Sequence, residues 1–128
     1  MRFYMAKTTR GGFDEVVQKV VDALKTEGFG VLTDIDVRET LKKKIGVDFR
    51  NYRILGACNP PLAHQALLAE DKIGTLLPCN VIVQDIGDGR IEIAAIDPST
   101  VMTKVGNANL AEVAGLVRRK LELVLDRL

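Results

Sequence analysis

Two β-branched runs, Pro78 to Ile86 and Arg90 to Ile96, stand on either side of Gly87-Asp88-Gly89. A connection this short and glycine-rich reverses the chain in a tight turn. Only antiparallel strands can be joined that way, because a parallel pair needs a crossover of a dozen residues or more. The feature therefore excludes an all-parallel sheet. Alternation adds a face: Val81 and Val83 point one way, and Ile91 and Ile93 can oppose them. An apolar sheet face needs a cover, and the rest of the chain supplies helices.

The first helical stripe is Phe13, Val16, Val17, Val20 and Leu24, with Asp14 and Glu15 in its first turn, where carboxylates suit the dipole, and Gly28 as its stop. The last is Val113, Val117, Leu121, Val124 and Leu128, with Asn109 as the expected cap and Glu112 at capping-box spacing. Between them, Phe3 to Thr8, Gly30 to Val37 and Tyr52 to Cys58 read as strands, and Val31, Thr33, Ile35 and Val37 are placed on one face. Asp36 and Glu39 open a short helix that Gly46 closes, and Asp34 beside it faces water. Pro60 to Lys72 reads as a further helix, with Leu62, Ala66 and Ile73 on one stripe. Asp97 to about Ala108 reads as an irregular loop, and loops of that length are often functional.

The expected fold is α+β: a five-stranded, largely antiparallel sheet with two long helices on one face, in the order β-α-β4-α with short inserted helices. No linker, repeat or low-complexity tract divides the chain, so residues 1–128 form a single domain. Helices on one face leave the other uncovered, and a homodimer formed through that face is the expected cover.

Net charge is +1, aromatic residues make up 5% and Trp is absent, which argues against nucleic acid as a partner. No run approaches the roughly 20 apolar residues needed to span a bilayer, so no membrane association is expected. The N-terminal residues lack the apolar stretch of an export signal, and two cysteines then point to reduced thiols in the cytoplasm. G-x-x-x-x-G-K-[ST], G-x-G-x-x-G and H-E-x-x-H are all missing, so neither a cofactor nor a metal is expected.

The candidate chemistry sits at Cys58-Asn59-Pro60-Pro61. Asn59 suits the cap of the helix that follows, and Pro60 its first position. Cys58 then lies at the positive end of a helix dipole, which favours a thiolate. Pro78-Cys79-Asn80 repeats the context at the start of a neighbouring strand, so both thiols are expected to face one hollow. His64, the one histidine, is a candidate ligand or base on the rim. Asp97 opens the loop expected to wall the site. The Lys42-Lys43-Lys44 run has neither a motif nor aromatic partners and reads as a solvated face.

Three segments carry a resemblance, Gly28 to Val37, Val47 to Pro60, and Leu76 to Val81, and it covers nearly the whole chain, most specifically from Gly28 to Pro98. The chain resembles an uncharacterised bacterial and archaeal family, number 302 among the domains of unknown function. The resemblance implies a fold like half of the TATA-binding saddle and small, dimeric members. It implies no reaction, and a fold alone does not bring DNA binding.

Function is therefore expected as binding of a small ligand, with an anion among the candidates because a helix N-terminus suits one. The expected site is Cys58, Asn59, His64, Cys79, Asn80 and Asp97. The alternatives are a thiol- or metal-dependent enzyme, and a dimeric interaction module without a pocket. Whether the protein is an enzyme stays open.

Overall fold

Residues 2–128 are described in a computed structural model of the chain. Five strands form one sheet: β1 (Tyr4–Arg10), β2 (Gly30–Asp36), β3 (Tyr52–Cys58), β4 (Cys79–Gly87) and β5 (Arg90–Ile96). They lie in the order β1-β5-β4-β3-β2, and every neighbouring pair is antiparallel. The turn at the centre has the expected chemistry: Asp88 and Gly89 have φ of 56° and 72°, the left-handed values that a two-residue hairpin loop needs. Register sets Val83 against Ile93 and Val81 against Ala95, all buried.

The long helices α1 (Phe13–Thr26) and α5 (Ala108–Asp126) cover this face. Their stripes meet it with Val16, Val20 and Leu24 from one and Leu110, Leu121 and Val124 from the other, none more than 1% exposed. Each fully buried aliphatic side chain contributes roughly 1.5–3 kcal/mol. The expected fold class is the one observed.

Several local expectations need correction. The strip from Asp97 onward is mostly helical: α4 spans Pro98–Met102 and a 3₁₀ turn spans Thr103–Val105. Asp97 caps α4 and Pro98 takes its first position, the same Asx-Pro signal that starts α3 (Pro60–Ala69). Asn107, not Asn109, caps α5, and its amide also donates to the Ala69 carbonyl at 2.8 Å. Helix α3 stops at Ala69, so Ile73 is buried from a separate 3₁₀ run, Asp71–Leu76. In β2 a bulge between Val31 and Thr33 breaks the alternation. Val31 packs against the core, whereas Thr33 and Ile35 turn to the other face. Asp34 does not simply face water: it pairs with Arg53, whose Nε donates at 2.8 Å, and that bond holds the carboxyl below its usual range. Asp36 caps α2 (Val37–Ile45) as expected, accepting from Glu39 N at 3.0 Å.

Gly56 is the tightest point of the sheet. A Cβ there would stand 2.1 Å from Thr33 Oγ1 and 2.8 Å from Pro78 Cγ. Thr33 can rotate its hydroxyl, but Pro78 is rigid, so the neighbouring strands must move. Gly56→Ala should lower stability by about 1–3 kcal/mol. A urea unfolding midpoint within error of the wild type would show that the contact relaxes freely.

Candidate ligand pocket

Where β3 passes into α3, the sheet and helices part around a cavity of about 350 Å³. Ala57, Cys58 and Cys79 from β3 and β4 line it, joined by Phe29. Leu62, Ala63 and Ala66 of α3 form one wall. Pro98 and Met102 of α4, with Val113, Ala114 and Val117 of α5, form another. Leu32 and Leu67, 68% and 41% exposed, stand where it meets solvent. No lining residue is charged, and Asn59 carries the one polar side chain besides the thiols.

Asn59 is committed to structure. Its oxygen accepts from Leu62 N at 3.3 Å and its amide donates to the Glu27 carbonyl at 3.3 Å. Its backbone carbonyl takes Ala63 N at 2.8 Å. Pro60 and Pro61 have no N–H. The first turn of α3 thus has no free donor, and the expectation of an anion at this helix end fails for lack of one.

The two thiols do line the same hollow, with different surroundings. Cys58 is half-buried and Cys79 is buried. Burial, and secondarily the nearby Cys58, pushes the Cys79 thiol up to about 11. Register explains the proximity: Cys79 pairs with Ala57, the residue before Cys58. The other expected site residues fall elsewhere. His64 is exposed and does not line the cavity. Asn80 follows an inward Cys79, so strand alternation turns it to the opposite sheet face, where it is exposed. Among the described residues, no group of three His, Cys, Asp or Glu side chains could hold a metal ion.

Asp97 lies just behind the wall. Its neighbour Pro98 lines the cavity, and its own carboxylate accepts from Ser99 Oγ at 2.6 Å, Thr100 Oγ1 at 3.1 Å and Arg118 Nε at 3.0 Å. Burial alone would raise this carboxyl, but the bonds from Ser99, Arg118 and Thr100 outweigh it and hold the group below its ordinary value. Asp97 therefore positions α4 and does not face a ligand. Sequence reasoning missed the apolar lining, Phe29, Leu67, Met102, Ala114 and Val117 among it. An apolar residue lining a cavity carries the same periodicity as one in the core, so no signal separated them.

A family model described as "Domain of unknown function DUF302" matches residues 5–128. The chain belongs to the DUF302 family. Its fold matches the crystal structure of an uncharacterized conserved DUF302 protein from Bacillus stearothermophilus, with 31% identity and a TM-score of 0.91, over 99% of this chain and 98% of that one. No curated protein matches the chain. The family assigns no function, so the reading of this DUF302 chain rests on its cavity. Among the described residues, no helix is long and apolar enough to cross a membrane.

Two outcomes follow from this geometry. At pH 8 only about one Cys79 in a thousand is a thiolate, given a value of about 11. Iodoacetamide should therefore label Cys58 roughly tenfold faster or more in the folded protein; peptide mass spectrometry showing equal rates would contradict the cavity's asymmetry. The second concerns pH. Because the folded-state value of Asp97 is depressed, the unfolded chain takes the proton first as pH falls. Its stabilisation is complete above about pH 5 and is lost as pH falls through the folded value. Asp97→Asn should flatten the decline of the urea midpoint between about pH 5 and pH 2.5, whereas parallel wild-type and variant curves would assign the decline to other carboxylates.

Proposed function

We propose that this DUF302 domain binds a small, neutral, predominantly apolar molecule in the cavity beside Cys58 and Cys79. The observation that carries the reading is a hollow of about 350 Å³ with no charged lining residue, within the size range typical of ligand sites. At about 30 Å³ per heavy atom, it takes roughly a dozen. Burying about ten methylene-sized groups gains on the order of 8 kcal/mol. Association costs at least about 4 kcal/mol. The balance, at most about 4 kcal/mol, corresponds to a Kd of about 1 mM or weaker for a ligand without polar contacts. Tighter binding needs a polar group matched to the thiols.

A second reading, a thiol-dependent enzyme, is favoured by one observation: both cysteines line the same cavity and both are free. On either reading the protein works in a reducing compartment such as the cytoplasm, where the thiols stay reduced.

Naphthalene, with ten carbons and no charge, is the probe, and naphthoate is its anionic control. Naphthalene should shift the methyl NMR signals of Met102, Val113 and Val117 and slow alkylation of Cys58, while naphthoate does so far less. Ala63→Phe, at the half-buried edge of the wall, should abolish both effects. Shifts scattered outside the cavity, or equal binding of naphthoate, would overturn the proposal. Unchanged naphthalene binding in a Cys58→Ser, Cys79→Ser double variant would favour passive binding over thiol chemistry.

A further inference from the structure

The sheet face turned away from α1 and α5 gathers residues that overall composition averages out. Of the chain's four Phe and two Tyr, all but Phe13 and Phe29 reach it. Phe3 and Tyr4 meet edge-to-face at one corner, where Phe3 is 64% exposed. Tyr52 and Phe49 stand together at the opposite corner, with ring centroids 6.2 Å apart. A groove of about 460 Å³ joins the two corners across Ile82 and Ala94. Each corner has its own cation. Arg2 lies over the Tyr4 ring at 5.8 Å. Arg50 lies over the Phe49 ring at 4.3 Å, and its Nε donates to Gln84 at 2.8 Å. At the hairpin end, register sets Arg10 directly against Arg90, and like charges so placed repel. Arg10 is held there by the Asp88 carbonyl, to which its Nη1 donates at 2.9 Å. Among the described residues, none of these four arginines has an ion-pair partner. Glu92 is the one carboxylate that the register turns to this side, and it accepts from Gln84 at 2.8 Å.

We infer that this face binds single-stranded nucleic acid, with bases on the aromatic corners and phosphates on the arginine rim. Four arginines against one glutamate make a positive patch on a chain whose net charge is only +1. A phosphate seated between Arg10 and Arg90 turns their mutual repulsion into two attractions. Exposed rings with cations beside them are the two parts a single strand needs, because every base has a face to stack and every linkage a charge to neutralise. A duplex keeps its bases stacked on one another and offers the rings none. Tyr4 and Tyr52 stand three strand spacings and four residues apart, roughly 20 Å on the diagonal. About six nucleotides cover that distance at the stacked spacing of roughly 3.4 Å. Single-strand sites take from about 4 to 16. The cavity beside Cys79 lies on the helix side of the sheet, so this inference stands independently of the function proposed above.

The probe is a fluorescein-labelled oligothymidylate of about twelve nucleotides, titrated with the full chain and followed by anisotropy. Anisotropy should rise, and affinity should fall about 20- to 50-fold between about 50 and 200 mM salt if three or four phosphates are neutralised. Arg90→Glu should weaken binding about fivefold or more and flatten the salt dependence. That change gives Arg10 an opposite charge to face, so the fold is not put at risk. Phe3→Ala, at an exposed ring, should also weaken binding about fivefold or more. Ala63→Phe, in the cavity across the sheet, should bind like the wild type. No rise at about 100 µM protein, equal binding of a duplex of the same length, or wild-type affinity in both Arg90→Glu and Phe3→Ala would overturn the inference. Displacement of the strand by naphthoate would overturn it too, giving the face to a small aromatic anion.

Discussion

Everything at the cavity end of the molecule hangs on the buried side-chain amide of Asn59. One of its groups closes the start of α3 and the other holds the last carbonyl stretch of α1, thirty-two positions away in sequence. Gly28 makes this meeting possible. Its φ is 82°, and a Cβ there would lie 3.0 Å from the Asn59 amide nitrogen. The chain can therefore leave α1, turn under Asn59 and enter β2 within a few residues. Removing a buried hydrogen-bonded partner leaves the other group unsatisfied, at about 1–3 kcal/mol each. Asn59 is thus a fastener between α1, β2, β3 and α3, and the cavity is the space left beside it.

The same amide decides which ligands fit. A helix start usually offers backbone donors to an anion. Here two prolines and one asparagine remove all of them, and the surrounding walls are hydrocarbon and sulfur. The electropositive end is spent internally. What remains is a hollow that rewards the loss of water from apolar surface, with one thiol half-open and another sealed and protonated.

Much of the architecture was legible because local and global signals agree. The Asp88-Gly89 turn dictated an antiparallel pair, and Val16, Val20 and Leu24 named the face of α1 that is buried. Cys58 and Cys79 line one hollow because a strand end and the start of the strand beside it lie close together. The errors have equally local causes. A bulge at Leu32 moved Thr33 and Ile35 to the other face, which no alternation pattern foretells. Asp97-Pro98 reads as a loop although it repeats the signal of Asn59-Pro60, because the apolar stripe behind it is only one turn long. His64 and Asn80 were grouped with their neighbours along the chain, and side-chain direction separated them.

The sheet order has a kinetic consequence. Strand β1 pairs with β5, so Arg10 finds Arg90 about eighty residues further along. During translation the opening segment leaves the ribosome long before its neighbour exists. Helix α1 must meanwhile wait for α5, the closing element, to complete the layer above it. Such late, long-distance closure slows assembly and leaves a sticky nascent edge exposed for seconds. Access to chaperones during that interval, more than the final energy of the fold, would then govern how much of the protein accumulates.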